Sequence, residues 1–123
     1  MQNNYSLGER CERPWGTWAV IDKGQGFIVK RFEVNPGQRL SLQYHNHRQE
    51  VWAVASGVGE VQVGNDTRTV GSGDTIMIPM KSLHRITNIG KEVLTIVETQ
   101  IGDNLDEADI VRLEDDYARA EAK

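Results

Sequence analysis

The stretch Gln43–Glu50, "QYHNHRQE", places a glutamine, two histidines and a glutamate within eight residues. Strands favour β-branched and aromatic side chains, and no turn chemistry requires this set. Imidazole nitrogen, amide oxygen and carboxylate together make a mixed N/O donor shell of the kind that holds a divalent transition metal. Side chains alternate across a strand, so Arg39, Ser41, Gln43 and His45 share one face, and Leu40, Leu42 and Tyr44 the other. A turn after His45 returns the chain at Glu50, bringing Gln43, His45 and Glu50 to one mouth. His84 follows a separate strand-turn-strand unit, "GDTIMIPMKSLH".

The elements that must position these residues are short. Strands are predicted at 15–22, 27–35, 39–45, 51–56, 59–63, 67–70, 75–78, 83–87 and 93–101. They are separated by "DKGQG", "NPGQ", "SGVG", "GND", "GSGD" and "NIGKE", rich in residues that tolerate positive φ. Many short strands at this spacing predict an antiparallel sandwich or barrel. The last segment, "DNLDEADIVRLEDDYARAEAK", carries helix formers and most of the acidic excess, and predicts a partly helical tail. The expected organisation is an N-terminal arm (1–12), a barrel (13–102) and an acidic tail (103–123) packed on the barrel or a partner.

The chain has 123 residues, a formal net charge of −4 and one cysteine. An acidic chain without a basic stripe disfavours nucleic acid. One cysteine excludes an intramolecular disulfide. Neither a signal peptide nor a run of about 20 apolar residues is evident, so the expected address is cytoplasmic, with no membrane partner.

With the strands in place, the residues match two motifs. Gly37, Gln43, His45, Glu50 and Gly57 fit the first cupin motif, G-x5-H-x-H-x3,4-E-x6-G, with glutamine in the first histidine place. Gly73, Pro79, His84 and Asn88 fit the second, G-x5-P-x-G-x2-H-x3-N, with Lys81 in place of the middle glycine. The chain therefore resembles the cupins, which implies an all-β double-stranded jelly-roll barrel. "RPWGTWAVID", "RLSLQYHNHRQEVW", "IPMKSLHRI" and "VETQIGDNLDEADIVRLEDDY" are similar to the isomerase domain of type II mannose-6-phosphate isomerases, a likeness running from Arg13 to Arg119. In that family the domain often follows a mannose-1-phosphate guanylyltransferase domain. Phosphomannose isomerases carry a Gln-His-Glu-His metal set, which implies Gln43, His45, Glu50 and His84 as ligands of one divalent ion: Zn, Mn, Co, Ni or Fe. His47 in place of Gln43 is the alternative. The family pattern "HHHRSEHW" reads "HNHRQEVW" here, so Asn46 and Val51 stand where histidines are usual.

The resemblance implies conversion of mannose 6-phosphate to fructose 6-phosphate through an enediol. Guanidinium groups match phosphate oxygens bidentately, which makes Arg39, Arg48 and Arg85 candidate substrate contacts, joined on the inward faces by Ser41 and Gln100. Lys30 and Glu98 have inward parity on apolar strands, where burial shifts a pKa toward neutrality as a general base requires. A structural Lys30–Glu98 ion pair is the alternative. Trp15, Trp18 and Trp52 suit sugar stacking or core packing. A homodimer would cover the sheets' outer apolar surface. The rival functions are another sugar isomerase or epimerase, an iron oxygenase, or a non-catalytic sugar-binding cupin.

Overall fold

The computed structural model describes residues 5–105, 107–114 and 116. Eleven strands form: β1 (Arg10–Arg13), β2 (Gly16–Gly24), β3 (Phe27–Val34), β4 (Leu42–His45), β5 (Arg48–Ser56), β6 (Val58–Val63), β7 (Asp66–Gly71), β8 (Thr75–Ile78), β9 (His84–Asn88), β10 (Leu94–Gly102) and β11 (Ile110–Glu114). They make two antiparallel sheets, ordered β1-β2-β3-β10-β5-β8 and β11-β4-β9-β6-β7. From β3 onward every connection except the β6–β7 hairpin crosses from one sheet to the other, which is the jelly-roll route. Among the described residues no helix is long and apolar enough to cross a membrane.

The register explains where the site lies. Inward rows across β3, β10 and β5 begin with Phe32, Ile96 and Val54, all buried hydrocarbon. One row on, the set is Lys30, Glu98 and Trp52; the next is Ile28, Gln100 and Glu50. Alternation is unbroken, but the buried face changes from apolar to polar along the strands. The same sheet thus supplies a core at one end and a polar cavity at the other.

The motif glycines have a backbone reason. Gly37, Gly57 and Gly73 have φ of 79°, 95° and 91°, left-handed conformations that glycine adopts without steric cost. Lys81, at the fourth glycine place, keeps that conformation at φ 66° and is the one non-glycine residue among the described residues to do so. Its N–H donates to the His45 carbonyl at 2.7 Å, so the β8–β9 loop is tied to β4 by a residue that strains to hold the turn. An L-residue in that region costs about 1–2 kcal/mol, partly offset by the greater freedom glycine loses on folding. Lys81→Gly should therefore raise stability by about 0.5–1 kcal/mol. The check is the denaturant midpoint; an unchanged or lower midpoint would mean that the lysine side chain compensates the strain.

The C-terminal segment departs from the helical expectation. Residues 107–109 form one 3-10 turn, and Ile110–Glu114 form a strand paired with β4. The alternation of Ile110 and Arg112 with Val111 and Leu113 suits an edge strand, where charge is favoured because it blocks pairing with other chains. The expected helical tail also took in the residues after Leu113; Glu114 instead ends β11, and residues 115 and 117–123 lie outside the described residues. At the other end, residues 10–12 of the expected arm, continued by Arg13, pair with β2.

Candidate metal centre and cavity

Three strands converge on one buried cluster. His45 ends β4, Glu50 lies near the start of β5 and His84 begins β9, and their ligand atoms all lie within 4.8 Å of one another. The β4–β5 connection, which joins the first two across the sheets, is held from the C-terminal segment. Asp109, buried beside it, accepts the Asn46 and His47 backbone N–H groups at 3.1 and 2.9 Å. At Gly102 a Cβ would run into the His47 carbonyl oxygen and lie 2.8 Å from the Arg48 Cα, so glycine lets β10 close on the start of β5.

The donor chemistry of the cluster fits a cation. The Nδ1 of His84 lies 2.9 Å from the Ser82 carbonyl oxygen. A carbonyl only accepts, so Nδ1 carries the proton and Nε2 of a neutral ring presents a lone pair. Burial holds the His84 imidazole down to about 4, against the pull of Glu50. That lone pair faces Glu50 Oε1 at 3.8 Å, while His45 Nε2 lies 3.0 Å from Glu50 Oε2. Arg48, which has only donors, approaches the same His45 nitrogen at 3.4 Å. Acceptors turned toward one another in a buried site are stable when a cation lies between them. The carbonyl behind His84 supplies the orientation that metal-bound imidazoles require.

Glu50 is ionised. Burial opposes its charge, but the Arg48 guanidinium at 2.9 Å outweighs that and holds the carboxyl well below the usual range. Arg48 is buried too; desolvation works against its charge, but Glu50 and Glu98 overcome it and the guanidinium stays protonated. The Trp52 indole N–H is shared between Glu50 Oε1 at 3.0 Å and Glu98 Oε2 at 3.1 Å, and Gln100 donates to Glu98 Oε1 at 2.7 Å. Burial, reinforced by the Glu50 charge, pushes Glu98 up to about 8, with Lys30 pulling the other way. Lys30 is the register partner of Glu98, and its Nζ sits 3.8 Å from the centre of the Tyr5 ring and 4.3 Å from that of Trp18.

Most of the expected site residues meet at one cavity. Lys30, Ser41, Gln43, Arg48, Glu50, His84, Arg85, Glu98 and Gln100 all line it. Gln43 is in register with His84 across β4 and β9. Its amide N–H donates to the Ser41 hydroxyl at 2.9 Å, leaving its oxygen as the atom able to ligate a cation. Arg85 is buried despite its parity: it donates to the Leu40 carbonyl at 2.9 Å and to the Glu114 carboxylate at 3.1 Å. Arg48 Nη1 and Gln100 Oε1, on the cavity wall, are buried with no protein partner. A buried donor and acceptor left open in this way are normally met by a ligand or water.

Two expectations about placement are corrected. Arg39 was expected on the face of Gln43 and His45, but β4 begins only at Leu42, and Arg39 makes one isolated bridge to Thr87. Its guanidinium turns to the surface and pairs with Asp116 at 2.7 and 2.9 Å. His47 was the alternative ligand, but the strand ends at His45; its side chain is 52% exposed and 3.8 Å from Asp103. The sequence reading also missed three features: Arg13 and Arg112 line the cavity, and Trp52 bridges two carboxylates instead of stacking on a ligand. A period-two reading of "DIVRLE" would have flagged Arg112; nothing local to Arg13 points inward.

The family described as "Mannose-6-phosphate isomerase C-terminal" matches residues 1–115. The xanthan biosynthesis protein XanB of Xanthomonas campestris pv. campestris is 48% identical over 107 residues, covering 87% of this chain and 23% of that protein. The alginate biosynthesis protein AlgA of Pseudomonas aeruginosa is 47% identical over 120 residues, covering 96% and 25%. The mannose-1-phosphate guanylyltransferase ManC of Salmonella typhimurium is 41% identical over 118 residues, with the same coverage. The chain thus spans about a quarter of the length of the relatives it matches. Among solved structures, a double-stranded β-helix protein from Klebsiella pneumoniae has a TM-score of 0.70 at 24% identity, covering 90% of each chain. The Cnp3 cupin domain of Schizosaccharomyces pombe also has a TM-score of 0.70, at 22% identity, covering 74% of this chain and 67% of its own. At these identities the likeness concerns fold alone.

Proposed function

The chain belongs to the mannose-6-phosphate isomerase C-terminal family, and on that premise we propose that it is a metal-dependent aldose–ketose isomerase converting mannose 6-phosphate to fructose 6-phosphate. The observation that carries the reading is the buried His45–Glu50–His84 cluster, open to a cavity whose wall also holds Glu98. A divalent ion held by those three residues, with the Gln43 oxygen as a further donor, would polarise the sugar's C1 and C2 oxygens.

The protein's own groups do the rest. Glu98 takes the proton from C2 of the open-chain aldose and returns it to C1. At the intervening enediolate the O2 hydroxyl proton passes to O1, so the C1 carbonyl becomes a hydroxyl as the C2 carbonyl forms. Trp52 and Gln100 hold its carboxylate from both sides, so the base points one way. Lys30 places positive charge beside it, next to the oxygens that gain electron density. Arg48 Nη1 and Gln100 Oε1 offer a donor and an acceptor for sugar hydroxyls, and Ser41 fixes the Gln43 amide. A homodimer belongs to the same proposal: exposed Met77 and Ile101 on the six-stranded sheet are surface that a second copy would cover.

The test is isomerisation of mannose 6-phosphate by the chelated protein and after adding back single divalent ions. Turnover restored by an ion is the expected result and identifies the working metal. No turnover with any ion would sink the isomerase reading and leave a sugar-binding cupin or an enzyme acting on another substrate.

A further inference from the structure

We propose that Arg13 and Arg112, carried by the edge strands of opposite sheets, form the anion subsite that receives the substrate's phosphate. This rests on the sugar-phosphate reading above. Arg13 ends β1, the outermost strand of one sheet, and Arg112 is in the middle of β11, the outermost strand of the other; both line the cavity. The cavity wall carries Arg13, Lys30, Arg48, Arg85 and Arg112 against Glu50 and Glu98, a cationic excess within a chain of net charge −4. A concave wall of one sign concentrates an anionic ligand.

Position separates these two arginines from the rest. Lys30 and Arg48 sit on the inner rows with Glu98 and Glu50, where a phosphate would meet two carboxylates. Arg85 is turned to Leu40 and Glu114. Arg112 lies in one register row with Gln43 and His84, two strands from the histidine. Two strand spacings put its backbone about 10 Å from that of His84. An extended six-carbon chain ending in a phosphate has roughly that length. A sugar with its C1–C2 end at the histidines therefore carries its phosphate to β11 and Arg112, and Arg13 lines the same cavity from the edge strand of the opposite sheet. Two half-buried guanidinium groups there match the phosphate oxygens as forks. The C-terminal strand is then part of the binding site, through Arg112.

The test uses the full chain and inorganic phosphate as the probe. Phosphate is titrated calorimetrically with chelator present, so that the anion cannot ligate a metal ion. The KM for mannose 6-phosphate is measured in parallel on the metal-loaded protein. Arg112→Gln and Arg13→Gln should each weaken phosphate binding about 10- to 100-fold and raise KM similarly, with kcat changed far less. Arg112→Lys should recover part of the loss, and decides the matter if the glutamine variant does not fold. Arg39→Gln, outside the cavity, should bind phosphate as the parent does. Wild-type phosphate binding in both arginine variants, or none in the parent chain, would overturn the assignment. Phosphate binding that depends on Arg13 and Arg112 in a chain that turns over no sugar phosphate would uphold the subsite and reject the isomerase.

Discussion

A His84→Ala chain is expected to lose its affinity for divalent ions and its turnover while keeping its fold. The ring contributes one of the three converging ligand groups, and its backbone-bonded Nδ1 fixes where the other nitrogen points. Metal polarisation of a sugar oxygen is worth several kcal/mol at the transition state, so turnover should fall by about a thousandfold or more. Calorimetric titration with the working ion and the isomerase assay read the two losses; circular dichroism reports the fold. His84 is the cleaner choice because its removal leaves no ion pair broken. Glu50→Gln, by contrast, strips the buried Arg48 of its counter-ion, a loss of about 3–5 kcal/mol in stability. If His84→Ala bound divalent ions as tightly as the parent chain, the cluster would not be the metal site.

The second large effect is expected from Glu98→Gln. The substitution keeps the volume and removes the ability to take a proton. A positioned general base contributes about 10²–10⁴-fold, and kcat should fall by that factor with metal affinity unchanged and KM altered little. Lys30→Gln is the necessary companion, because the two residues are register partners and either could move the proton. A loss confined to the glutamate variant identifies the base. Unchanged kcat in Glu98→Gln, with a collapse in Lys30→Gln, would transfer the role to the lysine.

Much of the architecture was legible because its signals are local. Gly37, Gly57 and Gly73 mark left-handed turns, and those turns set the strand spacing that the motifs encode. Period-two parity correctly placed Lys30, Gln43, Glu98 and Gln100 on the cavity wall, since they lie well inside or at the ordered part of their strands. Parity failed for Arg39 and His47, because a strand must first exist for its period to apply, and β4 covers only Leu42–His45. Arg85 shows the opposite case: its strand continues, but β11 covers it, so a residue of outward parity is buried.

The C-terminal segment was misread because its composition speaks for helix and its environment for strand. Acidic residues and helix formers dominate "NLDEADIVRLEDD", yet the exposed edge of β4 offers unpaired backbone groups that only a strand can satisfy. That choice decides whether Arg112 reaches the cavity.

The sequence by itself determined the strand spacing, the turns and the identity of the groups at each inward position, because these follow from φ preferences and the two-residue period. Tertiary structure alone decided which of those groups meet. His84 lies 34 positions beyond Glu50, and the chain crosses between sheets before the two come within ligand distance. Trp52 became the bridge between two carboxylates only when β10 paired with β5. Contacts of that kind depend on pairing between distant segments, where burial and register select among arrangements that local propensity leaves equal.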